Sequence, residues 1–269
     1  MKRSGDTQSN VVGSSRQGNW IRQILLTLCV LTHHVAFAED TQPKAQSLIQ
    51  SAMDLWRGKS SVGSMTMTIH RPNWERSMTI ESHTLGLDQS FLKVVAPKKD
   101  AGNATLLLDD DMWSYSPRIN RVIKIPSSMM SQSWMGSDLS NRDITKDTDI
   151  IDEYEHSLTA TYTSDGHTVY QITSIPHESA AVVWGKEVHH VRDDFLILKQ
   201  EFFDQDGQLA KLIETLEHDL IDGRPVATLM QVQDVDTPDE WTQMRINHVA
   251  FDVDLDPNLF SVANLRRGL

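Results

Sequence analysis

Thr159-Ala160-Thr161-Tyr162-Thr163-Ser164-Asp165-Gly166-His167-Thr168-Val169-Tyr170-Gln171-Ile172 is the stretch on which the fold turns. Thr159, Thr161 and Thr163 on one side, and Thr168, Tyr170 and Ile172 on the other, recur at every second position. The Asp-Gly between them supplies the positive φ values that a tight hairpin turn needs. Asp206-Gly207 and Asp222-Gly223 repeat the signal, and Asp109-Asp110-Asp111 and Asp193-Asp194 mark looser turns. Elsewhere Met65, Met67 and Ile69 alternate with Thr66, Thr68 and His70. Met78 and Ile80 alternate with Thr79 and Glu81, and Ile119, Arg121, Ile123 and Ile125 with Val122 and Lys124. Strands joined by tight turns make an antiparallel meander rather than a crossover sheet.

One long helix stands before the meander. Ala45, Leu48, Ile49, Ala52, Met53 and Trp56 recur at helical spacing, Pro43 suits the first turn with Thr41 or Gln42 as cap, and Gly58 stops it. Many twisted strands must curl, and one helix cannot cover the whole concave face. The expected fold class is therefore mainly β (α+β), a strongly curved antiparallel sheet. It forms an unclosed barrel plugged by the N-terminal helix and a loop over residues 126–145.

That loop has an unusual composition. Met129, Met130, Trp134 and Met135 crowd a segment of Gly136-Ser137-Asp138, Ser140 and Asn141, which is poor helix and poor strand material. Bulky apolar side chains on a turn-forming backbone suit a lid folded over an apolar surface. Methionine adapts to ligands of variable shape.

Pro97-Lys98-Lys99-Asp100-Ala101-Gly102, Leu106-Leu107-Leu108, Trp113-Ser114-Tyr115-Ser116-Pro117 and Gly136-Ser137-Asp138 follow one another in an order that resembles the LolA-like family of outer-membrane lipoprotein-sorting proteins. Looser agreement continues through Phe202 to Lys211 and ends near Asp256-Pro257-Asn258-Leu259-Phe260. The resemblance implies an unclosed barrel with an N-terminal helix and a loop or short-helix lid. It also implies a carrier for lipoprotein acyl chains or another lipid, with an inner-membrane exporter of ABC or RND type as partner. The candidate ligand-binding residues of cavity and lid are Met67, Met78, Trp113, Tyr115, Arg121, Met129, Met130, Trp134 and Met135, with Arg121 as the candidate latch. A lipid or envelope-stress sensor acting through protein contact, and an enzyme using the apolar pocket, are the alternatives.

Residues 1–38 read as an export signal. Lys2, Arg3, Arg16 and Arg22 precede the apolar run from Ile24 to Leu31, and Ala36-Phe37-Ala38 offers a small-x-small cleavage site. The expectation is a periplasmic protein of a Gram-negative bacterium, with a single domain over 39–269. Of 25 Lys and Arg and 37 Asp and Glu, the leader holds four and one. That leaves 21 and 36, a formal charge of −15. Such acidity argues against nucleic acid as a partner. The single cysteine, Cys29, lies in the leader, so the mature chain has neither disulfides nor thiolate chemistry.

No motif carries catalysis or a cofactor. His177-Glu178 begins like a zinc-protease motif, but Ala181 stands where the second histidine belongs. Asp204-Gln205-Asp206-Gly207 lacks the bidentate glutamate that a calcium loop requires. His189 and His190 point to opposite faces of a strand, so they cannot share a metal, and each is expected to be an exposed or hydrogen-bonded sheet residue.

Overall fold

The computed structural model describes residues 43–145 and 149–267. The export signal read over residues 1–38 lies outside the described residues. Residues 42–269 form one compact unit.

Helix α1 (Ala45–Arg57) is followed by β1 (Ser60–Arg71), β2 (Trp74–Leu85), β3 (Gln89–Ala96), β4 (Ala104–Leu108), β5 (Asp111–Ser116) and β6 (Arg121–Lys124). After the short helix α2 (Asn141–Thr145) come β7 (Tyr154–Ser164), β8 (His167–Pro176), β9 (Lys186–Arg192) and β10 (Ile197–Phe203). Strands β11 (Leu209–Ile221), β12 (Arg224–Asp234) and β13 (Trp241–Phe251) complete the sheet, and α3 (Val262–Arg267) closes the chain. All thirteen strands form one sheet in the order β6-β5-β4-β3-β2-β1-β13-β12-β11-β10-β9-β8-β7. It is a curved antiparallel meander not closed into a barrel. Two sequence-local meanders are stitched together by the β1–β13 pair, where Met67 faces Met244 and Ile69 faces Thr242.

The hairpins obey their turn chemistry. Asp165 and Gly166 have φ of 51° and 81°, and Asp222 and Gly223 have 52° and 78°. Both pairs therefore match a turn with two left-handed residues, whose twist suits the flanking strands. Asp204-Asp206-Gly207 makes a longer turn instead, in which the Asp204 carboxylate accepts from the amides of Asp206 and Gln208.

One face of the sheet holds the core. Met65, Met67, Ile69, Met78, Ile80, Leu92, Val94, Leu107 and Met112 share this face across β1 to β5. Ile172, Val191 and Tyr154 continue it on β7 to β9, where α1 packs through Leu48, Ile49, Ala52 and Met53. The helix begins at Ala45 with Lys44 as an uncapped N-terminal residue, so Pro43 precedes it rather than entering its first turn. Gly58 ends it at φ 64°, its amide donating to the Asp54 carbonyl over 2.9 Å. Trp56 does not share the buried stripe and is 39% exposed. At the far end of the helix the Arg57 guanidinium donates to the Leu87 carbonyl and to Ser90 Oγ, fastening α1 to β3. On the opposite face α3, with Leu265 and Phe260, covers Phe91 and Leu106.

Ile49 is fully buried between helix and sheet. Ile49→Ala should lower the unfolding free energy in a urea titration by about 2–5 kcal/mol, the usual range for a large-to-small change in a core. Trp56→Ala should change it by less than about 1 kcal/mol.

Candidate functional site

The segment between β6 and β7 crosses the inner face and forms the lid. Its shape comes from local polar bonds. Met135 and Gly136 both take positive φ, 52° and 82°, and the Ser137 amide returns to the Trp134 carbonyl over 3.0 Å. Glycine enters that conformation freely, whereas a methionine there is strained and needs its surroundings to hold it. Ser137 Oγ donates to the Trp134 carbonyl at 2.7 Å and accepts from the Leu139 amide at 3.2 Å. Ser140 and Asp143 cap α2 reciprocally. Asp143 Oδ2 accepts from the Ser140 amide at 2.8 Å, and Ser140 Oγ accepts from the Asp143 amide at 3.1 Å, the geometry of a capping box. The backbone thus satisfies itself without a strand partner, leaving Trp134, Leu139 and Met130 to be buried.

Two ion pairs tie the lid to the sheet. Arg71, the last residue of β1, grips Asp138 with both terminal nitrogens at 2.9 and 3.1 Å and also donates to the Gly136 carbonyl at 3.4 Å. Its Nε lies 3.1 Å from Glu240. Asp138 Oδ2 additionally accepts from Thr242 Oγ1 at 2.6 Å. The Arg71 and Asp138 side chains are only 14% and 5% exposed. The second tie is Lys211 of β11, whose Nζ lies 2.8 Å from Asp143 Oδ2. Asp234 is paired with Lys211 across the β11–β12 register. Burial pushes its carboxyl up, Lys211 and Arg71 pull it down, and Asp138 and Asp143 push it further up.

Under the lid lies a cavity of about 450 Å³, within the roughly 300–1,000 Å³ common for ligand pockets. Met78, Val94, Met112, Ile125, Met129, Trp134 and Met135 supply its apolar lining, and Arg76, Asn103, Thr105, Gln132 and Asn141 are among its polar groups. Arg76 pairs with Asp100 at 2.9 Å. Trp134 Nε1 donates to Thr105 Oγ1 at 3.2 Å, which satisfies the indole as it packs on the sheet.

Of the residues expected at the site, Met78, Met129, Trp134 and Met135 meet in this cavity. Met67 lies in the core beneath, fully buried, and Met130 is buried in the lid. Trp113 and Tyr115 face the other way and pack under α3. Alternation along β5 sends Met112 and Ser114 into the cavity in their place. Arg121 is exposed on β6, without a salt-bridge partner among the described residues. The arginine that grips the segment is Arg71, and no sequence signal joins it to Asp138, 67 residues away.

His189 departs from its expected exposed or hydrogen-bonded state. It is 1% exposed on the inner face, and neither ring nitrogen has a hydrogen-bond partner among the described residues. His190 points outward, to Tyr162 and Glu201. Burial pushes the His189 imidazole down to about 3, with His156 and His190 adding repulsion. His156, bonded through Nδ1 to Ser174 Oγ at 2.8 Å, is also lowered, chiefly by burial.

A model of the family described as "-like: Uncharacterized protein" matches residues 86–267. The chain belongs to that family. None of the curated proteins compared with it matches. Among solved structures, a DUF1329 family protein from Desulfovibrio piger is similar at 26% identity and TM-score 0.74, covering 83% of this chain and 100% of that one. A domain named for outer membrane lipoprotein sorting, from Vibrio parahaemolyticus, gives 22% and 0.73 over 83% of this chain and 98% of its own. A LolA superfamily protein from Nitrosomonas europaea gives 20% and 0.69 over 82% and 99%. The fold is thus the LolA-like one that the sequence resembles. The family match takes in the lid and most of the cavity wall but begins after β1, so Arg71 lies outside it.

Two predictions arise from the site. Arg71→Met strands the Asp138 carboxylate and should cost about 3–5 kcal/mol in a denaturant titration. It should also speed amide exchange across residues 134–141. The double variant Arg71→Met/Asp138→Leu should regain much of the lost stability. The pH dependence has a defined sign. His189 is neutral when folded and titrates near 6.5 when unfolded, so stability falls as pH drops below about 6.5, by up to roughly 1.4 kcal/mol per pH unit. His189→Gln should flatten the melting temperature between about pH 6 and pH 4 relative to the parent.

Proposed function

We propose that the protein is a periplasmic carrier that holds acyl chains of a lipoprotein or another lipid in the cavity between the lid and β2 to β5. The observation that carries this reading is the cavity itself: about 450 Å³, with four flexible methionines and Trp134 in its lining, beneath a strap tied to the sheet by Arg71 and Lys211. Each methylene moved from water into such a lining contributes about 0.8 kcal/mol, so a ~14-carbon chain offers roughly 11 kcal/mol before ordering and desolvation costs. Methionine tolerates chains of differing length and unsaturation because its rotamers interconvert cheaply.

Loading and release need the strap to lift. Arg71–Asp138 and Lys211–Asp143 are suited to that task, since an ion pair opened to water regains hydration in place of the lost contact. The export signal read over residues 1–38 and the name of the lipoprotein-sorting neighbour support a periplasmic setting, and the family resemblance implies an inner-membrane exporter as partner.

The test is native mass spectrometry of protein taken gently from the periplasm, with extraction of anything bound. A copurifying acyl lipid is expected, and it should be lost or reduced at least tenfold in Met129→Asp/Met135→Asp. Both positions are partly exposed, so the melting temperature should move little. A bare mass, with no uptake of a fluorescent fatty-acyl probe in vitro, would sink the proposal.

A further inference from the structure

A second, smaller cavity lies under the other half of the lid. It encloses about 120 Å³, several times the roughly 10–15 Å³ that one water molecule requires. Leu139, Arg142 and Asp143 of the lid border it, and β9 and β10 form its floor. The register there sets His189 opposite Gln200 and Glu187 opposite Phe202. Trp184 and Tyr154 also line it.

What sets this floor apart is a buried histidine. His189 is wholly buried, and its ring nitrogens bond no described protein group. Glu187 Oε2 is 3.6 Å from His189 Nε2, beyond hydrogen-bond reach. Held neutral by its burial, the imidazole presents one donor and one acceptor. The Gln200 amide, half-buried and without a hydrogen bond to another described residue, adds a second donor and a second acceptor. A phenylalanine or leucine at 189 would fill the same place without the cost of desolvating two polar atoms.

We infer that this cavity is a binding site for an uncharged, hydroxyl-bearing group, such as the adjacent hydroxyls of a glycerol or a sugar. Each hydroxyl both donates and accepts, which matches a neutral imidazole beside a carboxamide. An anion would only accept, leaving the acceptors of the imidazole and the carboxamide idle. An ammonium would only donate, leaving the donors of the imidazole and the carboxamide idle. The aromatic walls offer apolar surface to the C–H bonds that accompany hydroxyls. The group can arrive on a lipid or as a free polyol, since the chemistry is shared. The site stands on its own cavity, and only the comparison of the two myristoyl compounds rests also on acyl binding by the protein.

The experiment is calorimetric titration of the whole mature chain with 1-monomyristoylglycerol, methyl myristate and methyl α-glucoside. The parent should bind monomyristoylglycerol at least tenfold tighter than methyl myristate, and His189→Leu should erase that margin while leaving methyl myristate unchanged. Gln200→Met should act in the same direction and serves if His189→Leu fails to fold. Glucoside binding that His189→Leu removes, with neither myristoyl compound bound, would support a free-polyol site while the acyl carrier reading fails. Equal affinity for the two myristoyl compounds with no glucoside binding overturns the hydroxyl site and leaves the carrier reading intact. No binding of any of the three overturns both.

Discussion

The connection between β6 and β7 has to span the whole width of the sheet. Strands β6 and β7 are consecutive in sequence, yet they stand at opposite ends of the thirteen-strand order. Every other connection between successive strands joins neighbours. The crossing segment therefore has no strand beside it to satisfy its backbone, while its inner side must cover apolar floor. Serine, asparagine and aspartate supply the missing hydrogen bonds through Ser137, Ser140, Asn141 and Asp143. Trp134 and Leu139 supply the cover. The odd composition of the lid is what an unclosed meander demands of its one long-range connection.

Fastening such a strap by apolar contact alone would leave its position loosely set. Arg71 at the end of β1 and Lys211 near the start of β11 fix it at two separated points by charge. Partly buried ion pairs add little net stability but penalise misplacement heavily, because a displaced carboxylate stays desolvated without a partner. In an acidic chain this arrangement also spends two of its scarcer cations on the inner face. With Asp234 and Glu240 the group carries four acids against two bases, and the Asp234 carboxyl is pushed up by burial first and by Asp138 and Asp143 besides.

The two cavities differ because the sheet floor differs. Over β2 to β5 the inward positions are Arg76, Met78, Val94, Thr105, Met112 and Ser114, whereas over β9 and β10 they are Glu187, His189, Gln200 and Phe202. One lid thus borders two chambers of mixed lining, the larger with four methionines in its wall and the smaller with a buried histidine. This division is a property of register, since shifting β9 by one residue would turn Val188 and His190 inward instead.

Much of this was legible beforehand. Asp165-Gly166 and Asp222-Gly223 announce their turns because few residue pairs accept two positive φ values, and the alternation of Met65, Met67 and Ile69 announces a strand with one buried face. The lid was visible as apolar bulk on a turn-forming backbone, which gathers Met129, Trp134 and Met135, while Met78 stood out only by its alternation along β2. Which face of β5 looks inward could not, because Met112 and Trp113 are both apolar and only the pairing with β4 chooses between them. Nor could Arg71 be joined to Asp138, or His189 be told from His190 by burial. Local chemistry, which acts over a few residues, determined the turns, the strands, the helix and the lid. Contacts between residues far apart in the chain depend on how thirteen strands line up, and only the tertiary structure decided the latch, the inward faces and the buried histidine.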